Sequence, residues 1–261
     1  MVSHREAIEL AFKFDEVTDT TLELESNEQK LRANDYIQDR GLLRRGAVDN
    51  LSHVDFFGDC YLQALQQLRQ DETWLHIGPG NFCAEVDYFT SPLFSTHAKV
   101  VSNAYCLSQT PQAVDNLEFL RRQGGFRCID GIKFQDLQGV FADKATLISD
   151  VFAAGSYDPD LFGFFQVASE LLVPGGMLAV VLATVSFDAL NGSSTAPDEV
   201  YRSMRGFELI NSTQNSGWVF RRTNEAFIKP RAELSSFVAA NHERKVAWPR
   251  RRYTIVDMTP E

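Results

Sequence analysis

The chain has few cysteines, and none in an arrangement that carries chemistry. Only Cys60, Cys83, Cys106 and Cys128 occur among its 261 residues, far apart and without a CxxC pair. This argues against a disulfide framework and against a zinc site, and predicts reduced, mostly buried thiols. Long apolar runs are missing too. The most apolar stretch, residues 171–187, contains Pro174-Gly175-Gly176, and its uninterrupted remainder falls well short of the roughly 20 residues that span a bilayer. The first residues lack the apolar region of a signal peptide, so a cytoplasmic setting without a membrane partner is expected. No internal repeat and no strongly biased segment is visible. Positive charge is also in short supply. The net charge of −10 argues against general binding to nucleic acid or anionic membranes. Basic side chains collect late: residues 201–261 carry 11 against 6 acidic ones, Arg250-Arg251-Arg252 among them. An acidic partner would dock on this tail.

What is present is enough for a full core. An apolar content of 44% is ordinary for a globular chain, and the length fits one domain with extensions. Residues 1–55 are polar, with helical spacing at 5–14 and 27–38, and read as a lid over the core. Strands and helices then alternate. A helix is expected over 56–70, a strand over 73–77, a helix over 81–89 and a strand over 98–103. Thr110-Pro111 marks a helix start, Thr as cap and Pro in the first turn, and Gly124-Gly125 marks its end. Apolar runs at 126–129 and 145–149 predict two further strands, and 160–172 a helix. Pro174-Gly175-Gly176 turns into a fifth strand over 177–182. Residues 186–198 read as a loop, 199–205 as a short helix, and 207–212 with 218–222 as an antiparallel hairpin. This alternation predicts an α/β fold, a doubly wound sheet that is mostly parallel with an antiparallel edge. The expected division is an N-terminal extension (1–55), a core (56–222) and a basic C-terminal extension (223–261).

The stretch Trp74-Leu75-His76-Ile77-Gly78-Pro79-Gly80-Asn81-Phe82-Cys83 reads as an apolar strand that breaks into a glycine turn and enters a helix. Such a turn brings bare backbone to a ligand, and the following helix N-terminus suits a carboxylate or phosphate. A dinucleotide fingerprint needs glycine or alanine where Cys83 stands, and an acidic residue about 20 positions on. Residues 96–103 contain neither Asp nor Glu. Nicotinamide and flavin chemistry is the poorer reading.

Two more stretches give the turn a context. Leu171-Leu172-Val173-Pro174-Gly175-Gly176-Met177-Leu178 resembles the helix-turn-strand of class I S-adenosylmethionine-dependent methyltransferases. Leu147-Ile148-Ser149-Asp150 resembles that family's fourth-strand motif, and residues 74–80 its first motif. Order and spacing agree across roughly residues 55–222. The resemblance implies a Rossmann-like methyltransferase sheet that binds S-adenosylmethionine and methylates a small or medium-sized acceptor. It places the methionine part of the cofactor over His76, Gly78, Pro79 and Gly80, and the ribose at Asn103 or a neighbour such as Ser108. The adenine falls at Asp130 to Ile132, and the methyl group and substrate near Asp150. Asp150 is then the first candidate for substrate contact and general base, with Tyr157 in the following loop as the second.

His76 stands where the family has an acidic residue, Phe82 where it has a third glycine, and Asn103 where a ribose carboxylate is expected. A neutral hydrogen bond in place of a charged one costs on the order of 1 kcal/mol, or several-fold in affinity. His76 itself reads as a packed core histidine. These departures and the basic tail motivate a second reading, a non-catalytic binding or scaffold module. Polyamine aminopropyl transfer would need a glycine-richer turn and a dense acidic pocket, and the sequence shows neither.

Overall fold

The computed structural model describes residues 50–94, 97–105, 107, 108, 110–182, 185–213, 217–238 and 250–257. The helices expected at 5–14 and 27–38 lie outside them. In chain order the elements are α1 (Asn50–Phe57), α2 (Asp59–Gln67), β1 (Thr73–Ile77), α3 (Cys83–Thr90), β2 (Lys99–Ala104) and α4 (Pro111–Arg121). Next come β3 (Phe126–Asp130), a 3-10 turn (Phe134–Gly139), β4 (Ala145–Asp150), α5 (Ala154–Tyr157), α6 (Leu161–Leu171) and β5 (Leu172–Val181). The chain continues through β6 (Val185–Ala189), β7 (Ser194–Thr195), α7 (Pro197–Ser203), β8 (Phe207–Ser212), β9 (Gly217–Arg222), β10 (Arg231–Val238) and β11 (Arg250–Asp257).

Seven strands form one sheet in the order β3-β2-β1-β4-β5-β9-β8. The first five are parallel, β9 runs antiparallel to β5, and β8, antiparallel to β9, closes the edge. All of β1 is buried, so its two faces sort by period two. Leu75 and Ile77 join Ile148, Leu178 and Val180 under α6 and α7. Trp74 joins Val100, Leu147 and Ala179 under α1, α2 and α3, with Tyr61 and Tyr88. Full burial of each such side chain contributes about 1.5–3 kcal/mol, which fixes register wherever both faces are covered. The expected doubly wound sheet is present.

Local signals explain most boundaries. Thr110 Oγ1 accepts from Ala113 N at 3.2 Å with Pro111 opening α4, and Asp160 Oδ1 accepts from Gly163 N at 3.0 Å to start α6. Three expectations are corrected. The single helix over 56–70 is two helices, parted at Gly58, whose φ of +75° only glycine takes readily. Pro174-Gly175-Gly176 sits in a bulge inside a longer β5: Leu172 pairs with Ala145 and Met177 with Leu147, leaving four residues opposite Thr146. Residues 186–198, expected as loop, contain β6 residues and β7.

That third correction extends into the tail. β6 pairs parallel to β11 and antiparallel to β7, giving a second sheet in the order β10-β11-β6-β7. A strand whose partner lies some sixty residues downstream leaves no local periodic signal beyond Val185 and Phe187. The middle of the arginine triplet is not on a solvated face either. Arg251 is 1% exposed, while Arg250 and Arg252 point outward on the strand's alternation.

Candidate functional site

Strand order reverses between β1 and β4, since β2 and β3 extend the sheet one way and β5 the other. A doubly wound sheet opens its ligand crevice at such a point, outside the carboxyl ends of the strands. Here that crevice is formed by the turn after β1, residues 78–82, and the segment after β4, residues 151–157. Gly78 N donates to Asn103 O at 2.9 Å, which carries the β1–β2 ladder one residue past the strand. Gly78 has φ +66°, and a Cβ there would overlap that of Ala153, so the two segments meet at this point. Gly80, φ +55°, is exposed, and a Cβ on it would meet no atom within 4 Å. Bare backbone at Gly80 faces open space. Pro79 between them is buried.

Among the described residues only Phe82 and Phe152 have positive φ without being glycine, 59° and 58°. One follows the glycine turn and the other follows β4, so both flank the crevice. Holding a bulky residue there costs on the order of 1–2 kcal/mol, and for Phe82 burial of the ring against Leu117 and Leu120 offsets it. Phe82 thereby takes the conformation a third glycine would take, without exposing its backbone in the same way. Phe152 meets Phe56 of α1 edge to face at 5.0 Å.

The polar side chains expected at the ligand are turned inward. Asp150 is fully buried, and its Oδ1 and Oδ2 accept from the N–H groups of Ala153 and Gly155, both at 2.8 Å. Burial raises its carboxyl to about 6 against the pull of those two donors. Asn103 is 2% exposed and its Nδ2 donates to Ile132 O at 2.9 Å, so its amide ties the end of β2 to the segment after β3. Tyr157 lies in the helical turn α5 with 1% exposure, not in a loop, because Asp150 caps that turn from below. Asp130 ends β3 exposed, and Ile132 is half-buried.

His76 faces away from the crevice into the layer of α1 and α3. Its Nδ1 lies 2.8 Å from Glu85 Oε1, which also accepts from Ser102 Oγ at 2.6 Å. Trp74 stacks on it at 5.4 Å, and His53 of α1 meets its edge at 5.5 Å. Burial, then the neighbouring His76 charge, lowers the His53 pKa well below the ordinary value, and His53 Nδ1 lies 3.0 Å from Tyr61 Oη. The first turn of α3 thus sets a buried carboxylate against His76. Glu85 was missed by sequence reasoning; an acid between the apolar positions Ala84 and Tyr88 of a short helix was the available signal. Also missed was a polar cage around the glycine turn. Asn81 Oδ1 accepts from Ser108 Oγ at 3.1 Å and Thr110 Oγ1 at 2.9 Å, and Asn116 Nδ2 donates to Asn81 O at 2.7 Å. Ser108, the alternative ribose contact, is therefore engaged with the turn itself.

No protein-family model matches the sequence, and no curated protein matches it either. Solved structures of similar arrangement include a Corynebacterium glutamicum protein, 16% identical over 84% of this chain and 98% of that one, with a TM-score of 0.48. Another is the N-methyltransferase NodS of Bradyrhizobium japonicum WM9, 13% identical over 63% of this chain and 94% of that one, with a TM-score of 0.38. A third is an O-methyltransferase family protein of Burkholderia thailandensis, 11% identical over 85% and 70%, with a TM-score of 0.42. The chain's own strand order decides its class. Five parallel strands whose order reverses between β1 and β4, with an antiparallel strand beyond β5, give it a doubly wound, Rossmann-like fold, the sheet that the sequence resemblance implies.

Proposed function

We propose that the crevice between β1 and β4 binds S-adenosylmethionine and that the protein transfers a methyl group from it to a small or medium-sized acceptor. The observation that carries this reading is the open backbone at Gly80, placed at the switch point of the sheet. A ligand chain can lie on the bare backbone of Gly80 without meeting a side chain. Asp130, at the end of β3, and Ile132, just after it, would stand beside the adenine. Tyr105, half-buried after β2 with the Lys133 ammonium 5.6 Å above its ring, would form part of the same wall. When bound, the cofactor supplies a methyl group already activated on a sulfonium. The chain's residues need only align the acceptor and exclude water. Phe152 and Phe56 are suited to the second task.

Asp150 acts in this reading through the segment it caps. To reach an acceptor its carboxylate would have to leave two backbone donors, each worth about 1.5–3 kcal/mol as a bond to a charged group. Its role is to hold Ala153 to Gly155 in place. Tyr157, buried beneath the same turn, supports it from the protein side. Thermal-shift and calorimetric titration with S-adenosylmethionine and S-adenosylhomocysteine tests the reading. A saturable response to either supports it, and none at millimolar concentration sinks it.

One observation favours a second reading. Asp150 and Asn103 both spend their polar atoms on the protein's own backbone, and Ala153 presses on Gly78. A non-catalytic module that kept the fold for binding another partner would show the same inward turn. The variant Gly80→Phe, whose side chain would meet only the open crevice, separates the two: a scaffold keeps its cellular activity with the crevice blocked, and an enzyme does not.

A further inference from the structure

The C-terminal strand β11 reaches across to the segment that walls the crevice. Arg251 donates from its two terminal nitrogens to the carbonyls of Asp158 at 2.7 Å and Gly155 at 2.8 Å. Two residues on, Tyr253 Oη donates to Pro159 O at 2.7 Å. Both side chains are buried, and both lie on the inward face of β11, opposite Val185 and Phe187 of β6. Three carbonyls within five residues are thus held by one distant strand. On its other side the same segment is held by Asp150, which accepts from Ala153 N and Gly155 N. Gly155 is gripped through its N–H by β4 and through its carbonyl by β11. There is no room for the turn to move toward the sheet, since a Cβ at Gly155 would overlap Val180.

We propose that Arg251 is a positioning residue for the crevice: by holding Gly155 and Asp158 it sets where Ala153 and Phe152 stand against the glycine turn. A buried guanidinium is costly unless its hydrogen bonds are made, so its retention inside this segment needs the two carbonyls in place. The planar fork of Arg grips two carbonyls at once, which the single ammonium of Lys does not. This inference rests on the crevice being the ligand site. It makes the C-terminal strand part of that site and not an appendage to the core.

Amide hydrogen exchange on the full chain, with Arg251→Met, Arg251→Lys and Tyr253→Phe, tests it. In Arg251→Met the amides of Ala153 and Gly155 are expected to exchange at least about ten-fold faster, while those of Leu75, Val101 and Ile148 stay within about two-fold. Arg251→Lys should fall between wild type and Met. Affinity for S-adenosylhomocysteine should drop about ten-fold with Met and recover in part with Lys. Where Arg251→Met does not fold, Arg251→Lys and Tyr253→Phe carry the test, each with about three-fold faster exchange confined to residues 153–158. Unchanged exchange at Ala153 and Gly155, or an equal acceleration in the sheet, overturns the proposal. If the wild-type protein binds no S-adenosylhomocysteine, the reading of the crevice fails, and the exchange rates still decide whether Arg251 holds the segment.

Discussion

Two buried carboxyl groups set the pH response of the segment after β4. Burial raises Asp150 to about 6 and Asp158 to about 7 from the ordinary 3.8. Asp158 Oδ1 accepts from Asp160 N at 2.8 Å, but its Oδ2 is buried without a partner. Both folded values exceed the unfolded one, so the folded state holds more protons between roughly pH 4 and 7. Stability contributed by these groups is complete below about pH 4, is lost as pH rises through 6 and 7, and is flat above. Asp158→Asn keeps the Oδ1 acceptor and removes the charge. Its melting temperature at pH 8 should rise by a few degrees, and the difference between pH 5 and pH 8 should shrink. A pH slope identical to that of the wild type would contradict this assignment. The sequence showed these residues as acids near a strand end. It did not show which way they face, because an acid that caps its own turn and one that meets a ligand leave the same letters in the same place. His76 was legible as a packed histidine, whereas its partner Glu85 was not, since α3 is too short for one polar position on its buried face to stand out.

At the scale of elements, α1 packs on one face of the sheet and brings Phe56 against Phe152 beside the crevice. It is tied to the antiparallel hairpin. Thr213 Oγ1 donates to Phe56 O at 2.6 Å and Asn211 Nδ2 to Phe57 O at 2.9 Å. These bonds satisfy carbonyls left open at the helix end, and they hold Phe56 over Phe152. Removing both, with Asn211→Ala and Thr213→Val, should cost on the order of 1–3 kcal/mol. Limited chymotrypsin digestion should then cut at Phe56 and Phe57 several-fold faster, with the sheet intact. Cleavage at the wild-type rate would show that the helix is held by something else. Strands with partners near in sequence were legible from their apolar runs: β1 and β8 match the expected bounds, and the hairpin follows from its turn. α1 and α2 merged in the reading, because Gly58 inside a periodic run looks like a tolerated glycine until its φ is known. β6, β10 and β11 were unreadable for a different reason. Their residues are half-polar, and their order comes from pairing across long stretches of chain.

For the whole molecule, the charge pattern and the fold assign different parts to the C-terminal segment. Its positive charge suggested a docking tail, yet Arg251 and Tyr253 are spent inside, on the loop that borders the crevice. Arg252 remains outside, its Nε 3.7 Å from Asp188 of the neighbouring β6. The glycine turn and the segment after β4 then meet in one enclosure, with Phe56 of α1 packed against Phe152 at its border. In the proposed function this enclosure binds an S-adenosyl ligand. Amide chemical-shift mapping during titration with S-adenosylhomocysteine is the sharpest check on that binding. Saturable shifts are expected at Gly78, Gly80, Asn81, Tyr105, Gly131 and Ala153, at the carboxyl ends of β1 to β4. Shifts confined to the surface groove lined by Gln135, Gln138, Gln166 and Lys229, or no shifts at millimolar ligand, would contradict it.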